Sequence, residues 1–136
     1  MRIIGFVVLS LLSSMLMASN VVDCEKAMTT IEINQCAKLE LESAQDTLNQ
    51  YYQSSLKRYQ EDKELVSAIE TSQADWQTYM ESQCGAVFTQ WRDGTIRGVV
   101  TLSCKTTLTK QRTHQLWQYF LTYMDSTPPI LPEPEL

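Results

Sequence analysis

The chain has 136 residues, and its 16 acidic side chains outnumber 11 basic ones, giving a formal net charge of −5 at pH 7. An acidic surface repels nucleic-acid phosphates and favours cationic partners, so a role in binding nucleic acid is disfavoured. The length allows one compact domain rather than two. The absence of proline between Thr29 and Tyr123 favours long helices over a many-turned β-sandwich.

The first 18 residues have the layout of a secretory signal peptide. Arg2 precedes an apolar run, and small residues follow at Ala18 and Ser19, as at a signal-peptidase site. A transmembrane anchor is the weaker interpretation, because serines interrupt the run and it falls short of the ~20 apolar residues of a spanning helix. We therefore expect cleavage near Ala18 and a periplasmic or secreted protein that does not span a membrane.

Four cysteines follow this segment, and they bound the chemistry of the mature chain: Cys24, Cys36, Cys84 and Cys104. In an oxidising compartment an even number of thiols indicates two disulfides. A zinc site is disfavoured, because the cysteines lack Cys-x-x-Cys spacing and the chain has a single histidine, His114. We expect neither a metal nor a cofactor.

The first predicted helix has a capping signal and a long apolar stripe. Thr29 and Glu32 have the spacing of a capping box, in which a hydroxyl and a carboxylate satisfy backbone N–H groups at the helix start. Apolar residues then recur at helical spacing as far as Tyr59, which makes a helix of roughly eight turns. The polar residues 60–63 break the period and predict a turn.

Two further helices are predicted. The second apolar stripe ends at Cys84, where Gly85 is the expected stop. An irregular segment is expected at 85–98, which holds three of the four glycines. The third stripe spans 104–123, and its start is ambiguous because residues 96–102 could form a short strand.

Helices joined by one tight turn and one longer loop predict an all-α, three-helix up-down-up bundle. We expect residues 19–125 to form this domain and the proline-rich tail 126–136 to be disordered. The antiparallel arrangement places all four cysteines at one end of the bundle. The sequence leaves three connectivities open. We favour Cys36 with Cys84 and Cys24 with Cys104, because Cys36 and Cys84 lie on helices expected to be adjacent.

An ordered set of short motifs resembles the LprI-type lysozyme-inhibitor domain. It comprises the four cysteines together with Glu32-Ile-Asn34-Gln-Cys36-Ala37, Leu48-Asn49-Gln-Tyr-Tyr52, Gln73-Ala-Asp-Trp76 and Leu108-Thr-Lys-Gln-Arg112. The resemblance covers roughly residues 23 to 121 and implies a secreted or periplasmic helical protein. Some members of that family inhibit lysozyme. One departure is Met80 after Tyr79, where the family usually has an arginine, so a charged contact made there in relatives is absent.

Five residues within or beside these motifs are interpreted as structural: Glu32, Asn34, Asn49, Trp76 and Arg112. Trp76 lies on the apolar stripe of the second helix and is expected in the core. Arg112 lies on the stripe of the third helix, where an unpaired charge would be costly. We expect it to pair with a carboxylate, Glu32 or Glu40. The chain shows no arrangement of nucleophile and base, so we expect no catalytic residue and no enzymatic activity.

The candidate contact surface lies in the irregular segment: Phe88, Trp91, Arg92 and Asp93. Its aromatic residues and arginine are the types enriched in binding hot spots. The alternative is a connecting loop whose aromatic side chains cover the end of the bundle, and both interpretations stay open. The leading hypothesis for function is binding and inhibition of a lysozyme-type muramidase. The alternatives are a periplasmic scaffold for a cell-envelope partner and an immunity protein against a delivered muramidase. The oligomeric state is not predicted.

Overall fold

Three helices and a short π-helical turn form the computed structural model, which describes residues 22–136. Helix α1 spans Thr30–Arg58, α2 spans Lys63–Gln90 and α3 spans Arg97–Leu116, which continues into the π-helical turn Trp117–Leu121. No strand occurs in the described residues, which confirms the all-α prediction and leaves no short strand at 96–102. The predicted signal peptide and its cleavage site lie outside that range.

Side-chain caps set the starts of the first two helices. The Glu32 N–H donates to Thr29 Oγ1 at 3.2 Å, and the Thr29 N–H donates to Glu32 Oε2 at 2.9 Å, which completes the predicted capping box. Asp62 caps α2, since its Oδ1 accepts from the Leu65 N–H at 3.0 Å. The polar turn predicted at 60–63 is therefore confirmed in place between two well-defined helix ends.

Helix α2 is longer than predicted. Gly85, the expected stop, lies inside the helix with a negative φ, and a Cβ atom there would meet nothing within 4 Å. A glycine in a helix interior costs only about 1 kcal/mol, which the tertiary contacts of α2 with α3 can offset. The helix ends at Gln90, and the N–H of the C-cap residue Trp91 donates to the Val87 carbonyl oxygen at 3.2 Å.

Helix α3 packs against both other helices, whereas α1 and α2 make little direct contact with each other. Helix α1 runs parallel to α3. At one end Asn34 lies against Gly98. At the other end Arg58 Nη1 donates to the carbonyl oxygens of Phe120 and Thr122, both at 2.8 Å.

Helix α2 runs antiparallel to α3. Glu81 in the second half of α2 pairs with Lys105 in the first half of α3, with Nζ and Oε2 2.7 Å apart. Gln73, earlier in α2, accepts from Arg112, later in α3, at 3.0 Å. The two pairings fix opposite chain directions, so the predicted up-down-up topology is confirmed.

The core forms mainly where α1 meets the C-terminal part of α3. Its buried residues are Leu48, Tyr51, Leu116 and Leu121, and partly buried hydrophobic residues pack around them: Tyr52, Trp76, Trp117, Phe120 and Leu131. The remaining buried face of α3 consists of threonines. Thr106 and Thr113 each donate to the carbonyl four residues earlier, at 3.0 and 2.9 Å, so their buried hydroxyls are satisfied. Small side chains of this kind let α3 approach two neighbours at once.

The disulfides join Cys24 to Cys36 and Cys84 to Cys104, each with a Cα–Cα distance of 5.7 Å. The favoured pairing of Cys36 with Cys84 and of Cys24 with Cys104 is therefore wrong. It assumed that α1 and α2 are neighbours because a short turn joins them, but each packs chiefly on α3. Cys84 meets α3, and Cys36 meets the segment 22–29 that folds back on α1. Both bridges lie toward the end of the bundle where α1 and α3 begin.

Residues 126–136 follow the bundle instead of leaving it, and the structure thus differs from the predicted disordered tail. After α3 the chain reverses, and the Ile130 N–H donates to the Leu121 carbonyl oxygen at 2.9 Å. Tyr51 Oη then donates to the Pro132 carbonyl oxygen at 2.7 Å. Proline prevents helix formation in this segment, yet an extended chain still exposes carbonyl groups that a neighbouring side chain can bind.

Candidate partner-binding site

The turn between α2 and α3 carries the residues predicted to bind a partner. Phe88 lies in the last turn of α2, and Trp91, Arg92 and Asp93 follow before α3 begins. The Gly94 N–H donates to the Trp91 carbonyl oxygen at 2.8 Å and closes a tight turn. The irregular segment is shorter than the predicted 85–98, because helix occupies both of its ends. We call residues 88–97 the knuckle.

Apolar surface is exposed on the knuckle. The side chains of Phe88, Trp91 and Ile96 are 43%, 41% and 43% exposed. Trp91 also lies over its own turn, since a Cβ atom at Gly94 would stand 3.7 Å from Trp91 Cε3. The indole therefore lies over Gly94 of its own turn, while 41% of the residue's surface stays exposed.

Two arginines give the knuckle a local positive charge on an acidic chain. Arg92 is mostly exposed and its Nε lies 3.8 Å from Oδ2 of the fully exposed Asp93. The Arg97 guanidinium lies 5.2 Å from the centroid of the Phe88 ring, and its Nη1 donates to the Arg92 carbonyl oxygen at 3.1 Å. An exposed ion pair of such length holds its partners weakly. The Arg92 guanidinium is thus exposed and held only weakly by Asp93.

A second concave surface lies between α1 and α2, which stand apart because α3 separates them. This groove has a volume of about 350 Å³ and is lined by Gln45, Leu48, Asn49, Tyr52, Gln73, Trp76, Gln77 and Met80. Its lining has carboxamides, aromatic rings and apolar side chains but no charged group. Trp76 is half-buried and packs against the core, whereas Asn49 is exposed and faces the groove.

Arg112 joins α3 to α2 next to this groove. Its Nε donates to Gln73 Oε1 at 3.0 Å and its Nη2 donates to Ser72 Oγ at 2.8 Å. Burial lowers the pKa of the guanidinium. The expected pairing with Glu32 or Glu40 is wrong, because the side chain points toward α2 rather than α1. Neutral oxygens of a neighbouring helix satisfy the charge instead.

The groove brings together residues of two sequence motifs, an arrangement that was not predicted from the sequence. Asn49 and Tyr52 on α1, and Gln73 and Trp76 on α2, are each three residues apart and therefore share a helix face. That spacing is visible in the sequence, but which two faces meet depends on the position of α3. Asn34 lies elsewhere, where its Nδ2 donates to the Thr30 carbonyl oxygen at 2.7 Å beside Gly98.

The described part of the chain contains neither a metal-binding cluster nor a helix suited to span a membrane. Residues 22–136 contain no cluster of three or more histidine, cysteine, aspartate or glutamate side chains that could hold a metal ion. Over the same range, no helix combines the length and apolar character that crossing a bilayer requires.

Comparison with known proteins identifies the family. The sequence profile described as "Lysozyme inhibitor LprI" matches residues 23–116, and the chain belongs to this family. An uncharacterized protein of Rhizobium meliloti (strain 1021) is 29% identical over 105 residues, which cover 69% of this chain and 76% of the relative. No solved structure matches the chain. The matched range includes both disulfides and the knuckle and stops before the tail.

Proposed function

We propose that this chain is an exported protein that binds and inhibits a lysozyme-type muramidase, and that the knuckle enters the muramidase cleft. Membership of the lysozyme inhibitor family over residues 23–116 is the observation that carries the proposal. The two disulfides support export, because bridges of this kind persist in oxidising compartments. The knuckle is the surface whose shape and chemistry best suit such a cleft.

A muramidase cleft is concave and holds a pair of carboxyl groups on either side of the bond that it cleaves. An inhibitor therefore needs a protruding surface with a cation and a flat apolar group. Trp91 and Arg92 supply both at the tip of the turn, where each is exposed. Arginine can form two parallel hydrogen bonds to one carboxylate. Both residue types are enriched among those that dominate binding energy.

The charge of the rest of the chain supports the same partner. The full chain has a formal net charge of −5, which would attract a muramidase of the common cationic kind and raise the association rate. The local positive charge of the knuckle would then meet the acidic cleft, while the acidic body faces the basic surface around it. Association should consequently slow as salt is added.

The Cys84–Cys104 bridge supports the knuckle mechanically. It joins the helices on both sides of the turn, 20 residues apart in sequence. A turn held between two covalently linked helices loses less conformational entropy on binding than a free loop does. This arrangement suits a surface that must present an aromatic ring and a guanidinium in fixed positions.

The test is inhibition of purified c-, g- and i-type lysozymes by the mature protein. Inhibition at micromolar concentration is expected for at least one class. Trp91→Ala and Arg92→Ala should each weaken it by about 30-fold, the equivalent of ~2 kcal/mol. Tyr119→Ala and Lys57→Ala are matched controls, because these exposed residues lie at the far end of the bundle.

The possible outcomes test lysozyme inhibition and the role of the knuckle as the contact surface separately. Full activity of all three lysozyme classes would refute inhibition itself. Inhibition that survives both knuckle substitutions would keep the function and reject the knuckle as the contact surface. In the second case the groove between α1 and α2 would be the next surface to vary, with Gln77→Ala.

A further inference from the structure

The C-terminal tail, residues 126–136, is bound by two aromatic side chains that donate hydrogen bonds to its backbone. Tyr51 Oη of α1 donates to the Pro132 carbonyl oxygen at 2.7 Å. Trp117 Nε1, just after α3, donates to the Leu131 carbonyl oxygen at 3.0 Å. The carbonyl groups of two consecutive tail residues thus accept hydrogen bonds from opposite sides of the groove between α1 and α3.

The tail has the composition of an extended proline-rich ligand. It contains all four prolines of the chain: Pro128, Pro129, Pro132 and Pro134. Such segments are extended before they bind, lack many N–H groups and present their carbonyls as acceptors. Recognition of proline-rich peptides by other proteins uses aromatic-lined grooves for this reason.

The tail is also held by an apolar contact and by hydrogen bonds on either side of it. Leu131 packs against the core cluster. Upstream, the Ile130 N–H donates to the Leu121 carbonyl oxygen at 2.9 Å. Downstream, Glu133 Oε1 lies 3.0 Å from His114 Nε2. The register of the tail is therefore fixed at several consecutive residues rather than at a single contact.

The last residues cover the groove without filling it. Pro134 and Glu135 line a cavity of about 400 Å³ together with Glu40, Tyr51 and Lys110. A ligand with the same anchor and bulkier residues after it could therefore use space that this tail leaves open. The tail thus leaves part of the groove unfilled.

We propose that the groove between α1 and α3 is a binding site for extended proline-rich peptides, and that the chain's own residues 126–136 occupy it in cis. The tail is tethered next to the groove and so has a high effective concentration there, which excludes a free peptide of similar affinity. The site opens to other proline-rich segments when the tail is released. It is distinct from the knuckle and does not depend on muramidase inhibition.

The experiment uses the full mature chain and a synthetic peptide of residues 126–136 as the probe. Leu131→Asp removes the anchor of the tethered tail and should release it. The released variant should bind the peptide at least about tenfold more tightly than the wild type does. Binding should also change the NMR signal of the Trp117 indole N–H. Asp75→Asn is the control variant, because this exposed residue lies on α2, which does not line the cavity.

A second variant tests the proposal even if Leu131→Asp fails to fold. Tyr51→Phe removes only the hydroxyl that holds Pro132, so the fold should persist while backbone amide relaxation shows increased motion of residues 130–136. A peptide whose prolines are replaced by alanine should bind the released variant more weakly. Equal peptide binding to the wild type and Leu131→Asp, or a fast-moving tail in the wild type, would overturn the proposal. Dimers that exchange tails between copies would also overturn the cis assignment.

Discussion

Asn34 of α1 occupies the space beside Gly98 in which any larger residue of α3 would place its Cβ atom. That atom would clash with the Asn34 carboxamide oxygen and lie 3.2 Å from Asn34 Cγ. The φ angle of Gly98 is not positive, so the glycine is needed for close approach rather than for its backbone conformation. The first turns of α1 and α3 are closer together than two ordinary side chains allow.

Gly98→Ala should therefore destabilise the protein by about 1 kcal/mol, because the carboxamide must turn away and lose its hydrogen bond to Thr30. Gly85→Ala is the matched control, since its Cβ atom would meet open space inside a helix. It should stabilise by about 0.5–1 kcal/mol. Urea unfolding measures both. In an Asn34→Ala background the loss at position 98 should disappear, and effects of the same sign at the two glycines would contradict this explanation.

Peptide mapping of the oxidised protein should recover Cys24 with Cys36 and Cys84 with Cys104, and thiol titration in denaturant should find no reactive thiol. Replacing Cys84 and Cys104 together by serine should cost about 2–4 kcal/mol of unfolding free energy. The same change at Cys24 and Cys36 should cost less, because that bridge only fastens the exposed segment before α1. Equal losses would mean that this segment contributes to the core.

Trp76→Ala and Trp91→Ala should differ in their effects on stability. Trp76 packs against the core cluster, so its truncation should cost about 3 kcal/mol or more. Trp91 is 41% exposed, and its loss should change the unfolding free energy by less than about 1 kcal/mol. Thermal unfolding followed by circular dichroism provides the comparison. An equal fall in melting temperature would identify Trp91 as a cover for the bundle end.

Arg112→Lys should destabilise the protein although it keeps the charge. A lysine ammonium cannot reproduce the two directed bonds from Nε to Gln73 and from Nη2 to Ser72. We expect a loss of about 1.5–3 kcal/mol, the range for hydrogen bonds that involve a charged group. Arg92→Lys is the control, because Arg92 is exposed, and its unfolding midpoint should not change. Stability unaltered by Arg112→Lys would show that the bonds to α2 are dispensable.

Acid should weaken the cap of α1. Hydrogen bonds from the Thr29 N–H and hydroxyl and the Met28 N–H hold the pKa of Glu32 below its ordinary value of 4.5. The folded state therefore favours the carboxylate, and its contribution is complete above pH 4.5 and lost as the pH falls through the lowered pKa. Glu32→Gln should reduce the melting temperature at pH 7, and its difference from the wild type should shrink toward pH 2. The control is Gln83→Ala at an exposed residue without a carboxyl group, and it should show no such trend.

The helices could be predicted from sequence because each carries its own signals. Thr29 and Glu32 mark the start of α1, and the apolar stripes mark the buried faces. Gly85 misled the prediction of the end of α2, because local propensity is weaker than the packing of a helix on its neighbour. The proline-rich tail misled it for a related reason. Proline content predicts the absence of helix, but it does not reveal a groove elsewhere in the chain that can hold an extended segment.

The exposed character of Trp91 and Arg92 could also be predicted, because they lie in a segment without apolar periodicity. The disulfide pairing and the partners of Arg112 could not. Both depend on which helices are neighbours, and a tight turn between α1 and α2 suggested a contact that α3 largely replaces. Three helices with apolar stripes of similar strength can be arranged in more than one way around a shared core. The sequence alone therefore does not determine which helices are neighbours.

The central place of α3 has a consequence for how the chain is made. Synthesis delivers α1 and α2 first, and these two helices have little surface to bury against each other. The helix Arg97–Leu116, which packs against both of them, is synthesised after them. A nascent chain that stops before Arg97 should accordingly remain open and sensitive to protease, since helices without a packing partner are marginal in water. The native packing of α1 and α2 therefore depends on the completion of α3.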